Sequence, residues 1–185
     1  MPIKKFVYFF LIALPSAFIF SSCTHPKPTD KQSAADDLFQ DKDAYTVFKN
    51  KNTVPKVFEL NPNIQVLLDS LSEIKLLDSI TNDHIILKLD GIVHFTIYKS
   101  KHPIIIYTGM MKLSTEAVNF KINAYNSSPG QSLKVFEGQL IATKSYKSDF
   151  PNTDTLHRGD MILINRDIDL MEKETFDTTV LSSKL

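Results

Sequence analysis

The residues able to do chemistry in this 185-residue chain are few and scattered. Its five histidines, His25, His84, His94, His102 and His157, form no HExxH set and no pair at i, i+4, so no helical metal or general-base arrangement can be written from them. Serines are frequent, yet none stands in a G-x-S-x-G elbow. The five glycines stand singly, which excludes both a phosphate-cradling loop and a dinucleotide fingerprint. Carboxylate pairs occur at Asp36-Asp37, Asp167/Asp169 and Glu172/Glu174 and could in principle serve acid–base chemistry. The first lies in a polar stretch, and the others follow the last strand-like run among lysines, where a solvated charged tail is the expectation. No catalytic residue, cofactor-binding residue or metal ligand is assigned, and the chain reads as non-enzymatic.

One residue has a chemistry of its own. Cys23 is the sole cysteine, which excludes an intrachain disulfide and a multi-cysteine zinc site. Before it, Met1-Pro2-Ile3-Lys4-Lys5 forms a charged n-region, and Phe6 to Phe20 is an uncharged apolar run broken by Pro15 and Ser16. That run is of signal-peptide length and too short for a membrane-spanning helix of about 20 apolar residues. Phe20-Ser21-Ser22-Cys23 resembles the lipobox of bacterial lipoproteins, with small residues before a cysteine that receives a diacylglyceryl group. Residues 1–22 are therefore expected to be a cleaved lipoprotein signal peptide, and Cys23 the site of lipidation. Acyl chains contributing about 0.8 kcal/mol per buried CH₂ would hold the protein on a bilayer. Thr24, in place of an aspartate retention signal, favours the outer over the inner membrane, with the domain facing the periplasm or the cell surface.

Composition narrows the remaining possibilities. Lysine plus arginine and aspartate plus glutamate both number 21, so no one-signed field invites nucleic acid. An apolar share of 43% suits a globular domain with a core. Residues 23–56 are expected to form a flexible tether, because Thr24 to Asp43 offers only Leu38 and Phe39 as bulky apolar side chains.

Beyond Val57 the chain becomes a series of short apolar or alternating runs. Val93, Phe95 and Ile97 alternate with His94, Thr96 and Tyr98, as a half-buried strand requires; Phe120, Ile122 and Ala124 alternate with Asn119, Lys121 and Asn123. Further runs are Ile85 to Leu89, Ile104 to Tyr107, Leu133 to Phe136, Gln139 to Thr143 and Met161 to Ile164. Asp90-Gly91, His102-Pro103, Ser128-Pro129-Gly130, Glu137-Gly138 and Arg158-Gly159 punctuate them, so Gly91, Gly138 and Gly159 are expected to be structural turn residues. The pattern predicts an all-β domain over 57–170 with a tail over 171–185. Residues 61–77 are ambiguous by periodicity. Asn61-Pro62 could cap a helix carrying Ile64, Leu67, Leu68, Leu71 and Ile74, or the same residues could form strands Gln65 to Leu68 and Glu73 to Leu76.

Five pieces in order, Leu89-Asp90-Gly91-Ile92-Val93-His94-Phe95, Pro103 to Thr108, Asn119 to Tyr125, Val135-Phe136-Glu137-Gly138 and Leu156-His157-Arg158-Gly159-Asp160, give residues 57–170 a resemblance to the FecR-type periplasmic domain of the iron-dicitrate regulator family. The resemblance implies a short two-motif β-helix or a compact β-sandwich, and tips 61–77 toward strands. Where the family has Gly-Thr before its Phe-x-Val strand this chain has Ala117-Val118, so a positive-φ turn there must be built differently. The resemblance further implies a protein-binding or sensing module with an envelope protein as partner, linked to outer-membrane receptor signalling or transport. No sigma-factor contact is expected. A structural or glycan-binding surface lipoprotein is the alternative. Asp69-Ser70-Leu71, Asp78-Ser79-Ile80 and Asp154-Thr155-Leu156 also resemble an O-glycosylation sequon of some envelope bacteria.

Overall fold

In Ile85–Ile97 every second side chain from Leu87 to Ile97 is buried, thirteen residues without a break in the strand. This long ribbon and one other organise the molecule. The structure is a computed structural model and describes residues 38–40, 45–77, 83–150 and 152–178. Among these, the strands are β1 (Tyr45–Lys49), β2 (Lys56–Asn61), β3 (Ile64–Leu68), β4 (Glu73–Leu77), β5 (Ile85–Ile97) and β6 (Ile104–Tyr107). They continue as β7 (Met111–Thr115), β8 (Val118–Ala124), β9 (Gly130–Lys144), β10 (Thr153–His157), β11 (Asp160–Asn165) and β12 (Leu170–Thr175). The protein is essentially all-β, as its alternation predicts.

The strands form two sheets that share β5 and β9. The first sheet takes β1, β4, the first half of β5, β6, β7, the last part of β9 and β10. The second takes β2, β3, the rest of β5, β8, the first part of β9, β11 and β12. Hydrogen bonding closes a ring, β5–β6–β7–β9–β8–β5, with the other strands as wings. Among the described strands every ladder is antiparallel except β5–β6, so the pairing builds a sandwich closed at β5 and β9 into a small barrel-like core rather than the stacked coils of a β-helix. The inner faces meet in one core containing Leu87, Leu89, Ile104, Ile106 and Leu113 from the first sheet and Val93, Phe95, Phe120, Ile122 and Leu133 from the second. At its centre the rings of Phe95 and Phe120 stack at 4.9 Å, both fully buried. Each such side chain contributes roughly 1.5–3 kcal/mol by leaving water.

Two of the three glycines expected at turns lie inside continuous strands. Gly91, at φ +128°, is where β5 leaves the first sheet for the second: Asp90 pairs with Glu73 of β4, while Gly91 pairs with Ala124 of β8. It occupies an inward position at the inside of the bend, and a Cβ there would lie 2.4 Å from Ser72 Oγ. Gly138, at φ +80°, does the same for β9, pairing with Val118 of the second sheet next to Gln139, which pairs with His157 in the first. Here the register slips by one residue: Asn119 faces Glu137 but Phe120 faces Val135, leaving Phe136 as a bulge. The inward positions of β9 change accordingly, from Gln131, Leu133 and Val135 to Leu140, Ala142 and Lys144. A Cβ on Gly138 would sit 2.6 Å from the Ala117 carbonyl oxygen, so the left-handed residue is on β9 and the Ala117-Val118 entry to β8 needs none. Gly159 alone of the three is in a true turn, between β10 and β11.

Three expectations are corrected or resolved. Residues 61–77 are strands, with Asn61-Pro62 opening the β2–β3 turn rather than capping a helix. The tether boundary at residue 56 is too late, since β1 pairs with β4 and Asn50 is buried at 1% exposure. The tail boundary at residue 171 is too early, because β12 pairs along all of β11 through Thr175. Both edge strands were overlooked because they carry little inward apolar area: β12 buries Met171 alone, and β1 has no fully buried side chain.

Candidate functional site

Residues 1–22 and Cys23 lie outside the described residues, as do Asp36, Asp37 and Ser79. The described histidines do not converge. His94 is half-buried on the outer face of the second sheet, its Nε2 2.6 Å from Asn119 Oδ1. His102 Nδ1 approaches the Asp83 carbonyl at 3.1 Å, and the His157 amide donates to Asp160 Oδ2 at 2.8 Å. Among the described residues no three His, Cys, Asp or Glu side chains are grouped to hold a metal. Of the sequon residues, Thr155 is exposed on β10 and Ser70 is half-buried in the β3–β4 turn.

Asp169 is not part of a solvated tail. It closes the β11–β12 turn at φ +51° and accepts Lys144 Nζ at 2.9 Å and Ser148 Oγ at 2.7 Å. The Lys144 side chain is 2% exposed and also donates to the carbonyls of Phe150 at 3.0 Å and Asp169 at 2.9 Å. One ammonium thus ties the end of β9, the loop after it and the β11–β12 turn. Its bonds, with that from Ser148, hold the Asp169 carboxyl down to about 2. Beside it, burial, with the Asp169 carboxylate adding to it, pushes the Tyr146 phenol up to about 12. Asp160 shows a smaller balance: burial raises its pKa, but hydrogen bonds from Lys173 and the His157 amide outweigh that and hold it below the usual range. Glu172 and Glu174 are exposed on β12, two residues apart along one strand.

Burial of polar groups at the β5 corner follows from its geometry. Where β5 leaves one sheet for the other, the ladder cannot satisfy the neighbouring backbone. Asn50 Nδ2 donates to the carbonyls of Leu68 at 3.0 Å and Val54 at 2.9 Å, and Ser72 Oγ accepts the Ile92 amide at 2.9 Å. Sequence reasoning passed over Asn50 because it sits in a polar stretch; the available signal was Tyr45-Thr46-Val47-Phe48 just before it.

One surface that could take a partner is the edge of β2, which, like β1, β10 and β12, has a single partner among the described strands. Among the described strands β2 pairs only with β3, and β1 only with β4. The two edges meet through Phe48 and Phe58, whose rings lie 5.9 Å apart. Val47, Val54 and Val57 are exposed around them. An unpaired edge flanked by apolar side chains can accept an added strand.

Comparison with known proteins bears on the fold. No protein-family model matches the chain, and no curated protein matches it in sequence. Two crystal structures, each described as a "putative anti-sigma factor" from Parabacteroides distasonis, share the fold, with TM-scores of 0.64 and 0.63 at 16% identity. Each match covers 75% of this chain and 63% of the other, so the chain spans less than two thirds of those proteins.

Proposed function

We propose that this protein is a non-enzymatic envelope lipoprotein, held by lipid on Cys23, whose FecR-like β-domain is a protein-binding or sensing module linked to outer-membrane receptor signalling or transport. The observation that carries the reading is the fold shared with the anti-sigma-type structures, at a TM-score of 0.64 over 75% of the chain. It is supported by the ordered FecR-like pieces from Leu89 to Asp160, and by the open β2 edge, which suits recognition by strand addition. The proposal assigns no sigma-factor contact to this chain.

Two measurements test it. Metabolic labelling with an alkyne fatty acid should mark the protein and leave Cys23→Ala unmarked; an unmarked native protein removes the anchor. A photo-crosslinking residue at Val57 should capture one envelope protein, with capture competed by unlabelled protein. Saturable binding of a glycan or peptidoglycan with no protein captured overturns the module reading in favour of a glycan-binding lipoprotein.

A further inference from the structure

At one end of the sandwich the β6–β7 turn, the β8–β9 loop and the β11–β12 turn converge on a cavity of about 300 Å³, lined among others by Gly109, Asn126, Gln131, Arg166 and Asp167. That is at the small end of ligand pockets, which run to about 1,000 Å³. Its wall carries an unspent donor. Gln131 is 4% exposed, and its Nε2 has no hydrogen-bond partner.

The orientation of that amide is fixed by its neighbour. Thr108 Oγ1 accepts the amides of Met110 at 3.2 Å and Met111 at 2.8 Å, which occupies both of its lone pairs. Its hydroxyl hydrogen is left to donate, and of its two acceptors, the Met111 carbonyl at 3.3 Å and Gln131 Oε1 at 2.6 Å, the amide oxygen is the nearer. Turning the amide over would set a donor against a donor, so the unpartnered group is the N–H edge. Gly109 keeps that edge clear: a Cβ there would lie 3.4 Å from Gln131 Nε2 and 2.5 Å from Asn126 Oδ1.

Arg166 supplies charge at the same cavity. Its Nη2 donates to the Gly109 carbonyl, its guanidinium lies 5.4 Å from the Tyr146 ring centroid, and its Nε is buried without a partner. Among the described residues it forms no ion pair; the neighbouring Asp169 is engaged by Lys144 and Ser148. Gln131, whose buried Nε2 has no acceptor, and Arg166, which makes no ion pair among the described residues, therefore line one small space, with the Asp167 carboxylate at its rim.

We propose that this cavity binds a small carboxylate, one oxygen taking the Gln131 Nε2 hydrogen and the charge being met by Arg166. A planar two-oxygen anion suits an amide edge beside a guanidinium. A phosphate dianion suits it less, because Asp167 at the rim repels two charges more than one. The proposal needs neither the lipid on Cys23 nor a partner at β2, so it can fail or hold independently of the reading above.

The test follows the Gln131 side-chain amide of ¹⁵N-labelled full-length protein by NMR during titration with acetate and succinate, with acetamide and inorganic phosphate as controls. A saturable shift with a carboxylate and none with acetamide is expected. Arg166→Gln and Gln131→Glu should each weaken binding at least about tenfold, a loss on the order of 1.4 kcal/mol. Asp167→Asn should strengthen it, a gain that misfolding cannot mimic. Equal shifts with acetamide, a preference for phosphate, or no shift at millimolar carboxylate, which would leave water as the only occupant, each overturn the proposal.

Discussion

Replacing each corner glycine by alanine separates two costs that the fold combines. At Gly159, φ is +87° but the nearest atoms to an added Cβ are 3.8 Å away, so Gly159→Ala pays backbone strain alone, about 1–3 kcal/mol. At Gly138, with φ +80°, the added Cβ also meets the Ala117 carbonyl oxygen at 2.6 Å and the Val118 Cα at 3.0 Å. Both are backbone atoms at the entry to β8, whose Val118 pairs with Gly138, so relief requires moving the start of β8 against β9. Overpacking of this kind costs a further 1–3 kcal/mol or so, bringing Gly138→Ala to about 2–6 kcal/mol. Gly91→Ala is worse placed, with three Ser72 atoms within 2.6 Å and φ at +128°. Against a total stability of about 5–15 kcal/mol, the corner substitutions take a large share and the turn substitution a small one. Urea denaturation followed by far-ultraviolet circular dichroism reads this directly. With a slope of about 2 kcal/mol per molar, a loss of about 4 kcal/mol moves the midpoint by roughly 2 M. The expected order of loss is Gly91→Ala and Gly138→Ala well above Gly159→Ala. Equal midpoints for Gly138→Ala and Gly159→Ala would refute the claim that β9 bends where its Cβ has no room.

Asn50→Ala should destabilise by about 1–3 kcal/mol in the same assay, because the Leu68 carbonyl loses a buried donor and water has poor access to replace it; an unchanged midpoint would return Asn50 to the tether. Asp169 carries a pH dependence whose sign is fixed by its lowered pKa. A carboxyl held at about 2 when folded and near 3.9 when unfolded adds stability that is complete above about pH 4 and is lost as pH falls from there toward 2. Thermal melts between pH 5 and pH 2 should show that extra loss in the native protein and lack it in Asp169→Asn.

Alternation alone made the inner strands legible. Val93, Phe95 and Ile97, and Phe120, Ile122 and Ala124, stand at every second position, and only a sheet with one buried face uses that period. Short unbroken apolar runs bounded by turn residues placed Ile104 to Tyr107 and Met161 to Ile164 on strands. The punctuation between runs marked Gly91, Gly138 and Gly159 as special, since glycine is the residue that tolerates their φ.

What those glycines do was decided by the tertiary structure. A turn that ends a strand and a bend that passes it to a second sheet demand the same backbone freedom, so local sequence cannot tell them apart. The difference appears only when Asp90 and Gly91 are seen to pair with different partners, β4 and β8. Edge strands were hidden for a related reason: β1 and β12 are stabilised by backbone pairing to distant segments, which leaves little pattern in their own side chains. Likewise nothing local distinguishes Lys144 from a surface lysine or Gln131 from a surface glutamine. Their burial follows from the slip at Phe136 and from which segments β9 meets on either side of it. Local chemistry determined which residues could be strand; only the closed pairing of β5 and β9 decided which polar groups were left inside.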